Sequence, residues 1–140
     1  KVVPQSLVEY RIHTQGDSVR RIFDLGVIVN HNTLFSKLRE NYFDRKSKDS
    51  RLRFNKLASR WARESGIKLL YYKDGEVLGK ELIRRSFMLD PKDPKNLETV
   101  IRVNLPKAFY PRPFGVSPKM ELTLPEYATL EWAQGLFSLD

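Results

Sequence analysis

The chain opens with alternation. Val8, Tyr10 and Ile12 alternate with Glu9, Arg11 and His13, the period of a half-buried strand. TQGD then signals a turn, since Gly16 tolerates positive φ. A return strand is expected from Val19 to Val29, with Phe23, Leu25, Val27 and Val29 on one face and Ile22 and Ile28 on the other. From residue 32 the period lengthens. Leu34, Phe35, Leu38 and Tyr42 fall on one helical face, with Asn32 or Thr33 as N-cap, which predicts a helix over about 32–43.

DRKSKDS reads as an exposed basic loop. SRLRFNKLASRWARESG comes next, with an apolar stripe of Phe54, Leu57, Ala58 and Trp61. A second helix is expected over about 50–65, capped by Asp49 or Ser50 and ended by Gly66. Asp74-Gly75 between two apolar arms is a strong hairpin signal. DPKDPKN reads as a chain break, and Ile101, Val103 and Leu105 alternate as in a strand. AFYPRPFG is proline-rich and aromatic, an ordered loop or an extended edge. Met120, Leu122 and Leu124 predict a last strand, and Pro125 opens a helix over about 125–137 with Tyr127, Leu130, Ala133 and Phe137 facing the core. The expected fold is a single α+β domain spanning 1–140, mainly antiparallel sheet with two central helices and a C-terminal helix. The helix–hairpin order over 33–89 looks loosely like a winged-helix arrangement in topology alone, and no residue roles are carried over from it.

Composition narrows the chemistry. The 140 residues include no cysteine and two histidines, His13 and His31, so disulfides, thiolate metal sites and cysteine nucleophiles are excluded, and no metal or cofactor is expected. No apolar run reaches the ~18–20 residues a membrane span needs, and an intracellular protein, cytoplasmic or nuclear, is expected. The chain is read as a domain excised from a larger protein. No phosphate-cradling glycine motif and no GxSxG elbow occurs. Asp74, Glu76 and Glu81 with Lys80 are the one candidate cluster for a metal-dependent nuclease, the weaker reading beside the solvated surface of a turn. No catalytic residue is assigned.

Charge is the informative feature. The formal net charge is +8, and residues 37–68 hold eleven basic against four acidic side chains. Such concentration attracts polyanions. Arg53, Lys56, Arg60 and Arg63 recur on one side of the second helix, turned away from its apolar stripe, and Arg45, Lys46, Lys48 and Arg51 lead into it. These eight are the expected nucleic-acid contacts, since Lys and Arg displace counterions from phosphates and Arg can also grip guanine edges. Lys37, Arg39 and Lys68 belong to the same basic segment. DNA is slightly favoured over RNA. Tyr71, Tyr72, Phe109, Tyr110 and Phe114 are candidate stacking platforms for unpaired bases. The competing readings are a solvated basic face, an assembly domain whose basic strip meets an acidic partner, and the nuclease.

Overall fold

The computed structural model describes residues 25–112 and 122–139. The first expected strand, the start of the second, His13 and Phe114 lie outside the described residues. Within them the order is α1 (Leu25–Tyr42), α2 (Lys48–Leu69), β1 (Tyr72–Lys73), α3 (Glu76–Leu89), α4 (Pro94–Val103), a 3-10 turn (Lys107–Phe109), β2 (Leu122–Thr123) and α5 (Leu130–Gly135). This corrects the expected fold class. The described chain is mostly helical, with five α-helices, and its two strands pair in parallel, Tyr72 opposite Leu122 and Lys73 opposite Thr123.

Each correction has a local cause. The Asp74-Gly75 turn exists, but it joins β1 to a helix and closes no hairpin. Asp74 takes φ 62°, which a short polar side chain tolerates, and the Gly75 N–H donates to the Tyr72 carbonyl at 2.9 Å. Beyond it Leu78, Leu82, Ile83 and Ser86 form the buried face of α3, a helical and not an alternating spacing. No winged-helix arrangement results. The expected strand at 99–105 is helix α4 and the turn after it. Asp93 caps α4 by accepting the Lys95 N–H at 2.9 Å, and Pro94 sits in the first turn, where its missing N–H costs little. Residues 25–29, expected to be strand, begin α1, so Asn32 and Thr33 lie inside the helix and do not cap it. The Asn32 Oδ1 accepts the Phe137 N–H at 2.8 Å, and the Thr33 hydroxyl donates to the Val29 carbonyl at 3.0 Å.

α2 and α3 form the central pair, and glycines permit their close approach. A Cβ on Gly66 would lie 2.7 Å from the Gly79 carbonyl oxygen, and one on Gly79 would lie 2.6 Å from that of Gly66. Gly66 therefore does not end α2, which continues to Leu69. The core gathers Ile28 and Phe35 of α1, Phe54, Ala58, Ala62 and Leu69 of α2, and Leu78 and Leu82 of α3, with Ala133, Leu136 and Phe137 from the C-terminal segment. The Phe35 ring meets Phe54, Trp61 and Phe137 edge-on at centroid distances of 5.9, 6.1 and 5.9 Å, a favoured aromatic geometry. α5 is shorter than expected. Ala133 and Phe137 are buried, whereas Tyr127 and Leu130 are exposed. The Arg85 guanidinium holds this segment by donating to the carbonyls of Ala133, Gln134 and Leu136 at 3.0, 3.0 and 2.6 Å. Such cations suit a helix C-terminus, whose last carbonyls lack intrahelical donors.

Candidate nucleic-acid interface

The basic segment is built on a turn and a long helix. Asp44 Oδ1 accepts the Lys46 N–H at 2.9 Å, and the Ser47 hydroxyl caps α2 by accepting the Ser50 N–H at 3.1 Å. The cap is therefore Ser47, and the expected loop is shorter, since Lys48, Asp49 and Ser50 are already helical. This fixes the backbone that carries Arg45, Lys46 and Lys48, all three exposed. Arg51, Arg53, Lys56 and Arg60 are also exposed. At 3.6 residues per turn, Arg53, Lys56 and Arg60 fall within about 60° of arc, while Arg51 points to a different side of the helix.

Two of these cations are paired within the helix. Arg53 Nη2 lies 3.0 Å from Asp49 Oδ2, and Arg60 Nε lies 3.2 Å from Glu64 Oε1. Both pairs are solvent-exposed, so each contributes little and yields readily to a stronger anion. Lys56 makes no ion pair among the described residues.

Arg63 departs from the expected set. Its residue surface is only 8% exposed, and it faces α4, not solvent. Nη1 donates to Asp93 Oδ2 at 2.9 Å and to Asn96 Oδ1 at 2.7 Å. Asn96 in turn donates to the Ser59 hydroxyl at 2.6 Å and to the carbonyls of Asp90 and Ser86 at 2.9 and 3.1 Å. The network ties α2, α3 and α4 together, and no buried side-chain nitrogen or oxygen among the described residues lacks a partner. Burial alone would raise the Asp93 carboxyl, but the Lys95 N–H and the Arg63 guanidinium hold it below its usual range. The helical period puts Arg63 near Lys56 and Arg60. The acceptors that bury it come from thirty residues further on and leave no mark on the local pattern.

Lys56 and Arg60 open onto a groove of about 520 Å3. Leu52 completes its α2 wall, and the opposite wall is the α3–α4 connection with Asp90, Lys92, Asp93 and Pro94. Lys92 thus joins the cationic group although it lies outside the basic segment. Its only sequence signal was a lysine between two Pro-flanked aspartates, ahead of a Pro-initiated helix.

The rest of the basic segment is structural or peripheral. Arg39 donates to the Ser138 carbonyl at 2.7 Å. Burial lowers the Lys68 ammonium, against the raising effect of Glu64. His31 lies within α1. It stacks on Trp61 inside the helical layer, with centroids 5.2 Å apart and planes 10° from parallel. Among the candidate stacking residues Tyr72 and Tyr110 are buried, the half-buried Tyr71 donates its hydroxyl to the Pro111 carbonyl at 2.7 Å, and Phe109 is exposed.

Of the candidate nuclease carboxylates, Asp74 and Glu76 line one cavity of about 510 Å3 together with Lys73 and Lys107, and Glu81 is not among its lining residues. Glu81 pairs with Arg84 at 2.7 Å, while Glu76 meets Lys80 at 2.9 Å and Lys107 at 3.4 Å. The Tyr110 hydroxyl also donates to Glu76 at 2.7 Å. Led by that hydrogen bond and the one from Lys80, these partners pull the Glu76 carboxyl down to about 2. A carboxylate this acidic and already occupied is a poor proton acceptor near neutrality. Among the described residues no group of three or more His, Asp or Glu side chains is placed to hold a metal ion. No helix among them is long and apolar enough to cross a membrane. Comparison with protein-family models, with curated proteins and with solved structures finds no match for this chain.

Proposed function

We propose that this chain binds nucleic acid through its phosphate backbone, along the exposed cations of α2 and the turn that precedes it. One observation carries the reading: Arg53, Lys56 and Arg60 share an arc of a single helix, beside a groove whose far wall holds Lys92 together with Asp90 and the Arg63-paired Asp93. Lys48 to Arg60 spans about 18 Å at 1.5 Å per residue. That length matches about five phosphates of one strand at 3.4 Å rise. Arg45 and Lys46 add charge in the turn before the helix and Lys48 in its first turn, while Arg51 stands about 170° round the helix from that arc and faces away from it. Arg63 has no part in it, because it is buried against α4 with its Nη1 donating to Asp93 and Asn96. DNA is slightly favoured over RNA as the ligand. The role that fits is a binding module of a replication, recombination, transcription or mobile-element protein, and it requires no catalytic group.

The test is filter binding of duplex DNA, single-stranded DNA and RNA at two salt concentrations, with Arg53→Glu/Lys56→Glu/Arg60→Glu as the comparison. All three side chains are exposed, so the variant folds. It loses binding to every ligand the parent retains at low salt, because the counterion-release contribution is removed and like charge replaces it. A folded triple variant that binds as well as the parent refutes the proposal.

A further inference from the structure

The groove beside α2 holds charges of both signs, although acids weaken a surface that meets phosphates alone. Leu52, Lys56 and Arg60 follow one another at i, i+4 and i+8 within α2, a row about 12 Å long that forms one wall. Asp90, Lys92, Asp93 and Pro94 form the other. The volume of about 520 Å3 lies within the ~300–1,000 Å3 of small-ligand sites.

The two acids differ in what they already hold. Asp93 is committed: Oδ1 accepts the Lys95 N–H at 2.9 Å and Oδ2 the Arg63 guanidinium at 2.9 Å. Asp90 is fixed through its backbone. Its carbonyl accepts the Asn96 amide at 2.9 Å and the Asp93 N–H at 3.3 Å, and its own N–H donates to the Ser86 carbonyl at 3.1 Å. Asp90 is half-buried, and its carboxylate has no hydrogen bond or ion pair among the described residues. Lys56 and Lys92 make no ion pair among them either. The groove thus presents one uncommitted carboxylate, two uncommitted ammonium groups and two exposed apolar residues, Leu52 and Pro94.

We propose that this groove takes an unpaired guanine nucleotide of a single-stranded nucleic acid, an inference that rests on the nucleic-acid reading above and names its substrate. An ionised carboxylate is an acceptor only, so Asp90 calls for a ligand with N–H donors. The Watson–Crick edge of guanine offers two side by side, N1–H and N2–H, which match the two oxygens of one carboxylate. Cytosine and adenine offer a single amino group on that edge. Thymine and uracil offer one N–H between two carbonyl oxygens, which a carboxylate repels. Lys56, Arg60 and Lys92 supply cations for the phosphate of the same nucleotide, and Leu52 and Pro94 supply apolar contact for the base. In a duplex the guanine edge is occupied by cytosine, so the ligand is a strand whose bases are free.

The probes are a fluorescein-labelled single-stranded oligo-dT of about 12 nucleotides and the same strand with one central dG, compared by fluorescence anisotropy. The full chain binds the dG strand about tenfold more tightly, the discrimination of a two-pronged base contact. Deoxyinosine in place of dG keeps N1–H, lacks the 2-amino group and loses most of that gain. Annealing each strand to its complement removes the difference. Asp90→Ala, with an unchanged circular dichroism melt, no longer tells the two strands apart. It binds oligo-dT no more weakly than the parent, because the deleted charge repels phosphate. If the parent binds the two strands equally, or inosine as well as dG, the inference is overturned while backbone binding stands. If neither strand nor duplex binds at low salt, the nucleic-acid reading falls and this inference with it. A preference that survives annealing belongs to a duplex groove, and one that survives Asp90→Ala belongs to another residue; either overturns the inference. So does guanosine monophosphate that displaces the dG strand at equal concentration, since a free nucleotide is then the ligand.

Discussion

Arg63 separates the fold from the interface, and Arg63→Met is the perturbation that uses this. Methionine keeps an unbranched stem and removes every donor. The Asn96 Oδ1, in a fully buried residue, loses the guanidinium 2.7 Å away. Leaving a buried acceptor unsatisfied costs about 1–3 kcal/mol. Asp93 loses its ion pair, but its side chain is 28% exposed and keeps the Lys95 N–H, so water recovers most of that interaction. About 1 kcal/mol is a fair share for it. The sum is about 2–4 kcal/mol, a large part of a typical domain's stability. In a chain of this size it lowers Tm by roughly 10 °C.

Urea denaturation read by circular dichroism measures the loss, with Arg60→Met as the control. Arg60 is exposed and paired only with Glu64, so its removal costs about 0.5 kcal/mol or less. Nucleic-acid binding, measured where both variants are fully folded, moves the other way: Arg60→Met weakens it and Arg63→Met leaves the α2 contacts unchanged. Arg63→Lys falls between Met and the parent in stability, because an ammonium reproduces the charge but not the two-pronged geometry. If Arg63→Met matches the parent within about 0.5 kcal/mol and weakens binding as Arg60→Met does, the network is not what holds Arg63, and the residue belongs to the interface after all.

Gly79→Ala gains about 1 kcal/mol of helix propensity yet is net destabilising by about 1–3 kcal/mol in thermal melts, because its Cβ meets a backbone oxygen of α2 at 2.6 Å. Gly135→Ala, with open space around its Cβ, is neutral or slightly stabilising, and a stabilised Gly79→Ala variant would contradict the close crossing. The carboxyl of Glu76 is held at about 2 in the folded chain, against an unfolded value near 4.3, so the unfolded state takes up its proton first as pH falls. The stability it contributes is present above pH ~5 and lost toward pH ~2; the gap between parent and Glu76→Gln in urea midpoints narrows over that window, and a constant gap refutes the assignment. Removing the Ser47 cap with Ser47→Ala costs about 1 kcal/mol in urea denaturation. If four phosphates are contacted by Arg53, Lys56, Arg60 and Lys92, log K falls with log salt at a slope near about −3.6, and Lys92→Ala reduces the slope by about 0.9.

The sequence reading succeeded where local period and tertiary contact agree. Phe54, Leu57, Ala58 and Trp61 form a stripe, and that stripe packs on the core, because α2 is long enough for its period to be unambiguous. It failed on α4 for a physical reason. Thr99, Val100, Ile101 and Val103 are β-branched, and Ile101, Val103 and Leu105 alternate, so a short window reads as strand. The signals that decide otherwise are the Asp93 cap and Pro94 in the first turn, present in the sequence but read as a break. The Asp74-Gly75 arms misled in the same way, since a turn signal fixes where the chain bends and leaves open whether a strand or a helix lies beyond.

The site shows the same division between local and distant causes. Exposure of Arg53, Lys56 and Arg60 arises from the helical period and the apolar stripe, both local. Burial of Arg63 and recruitment of Lys92 depend on one event, the docking of the α3–α4 connection against α2. The docking that places Asp93 and Asn96 over Arg63 also makes Lys92 line the groove facing Lys56 and Arg60. The two departures from the expected cation set are therefore coupled. Arg63→Met, by loosening that docking, should let the Lys92 wall drift without touching the α2 cations, so any small loss of salt slope in that variant is predicted to equal the contribution of Lys92 alone.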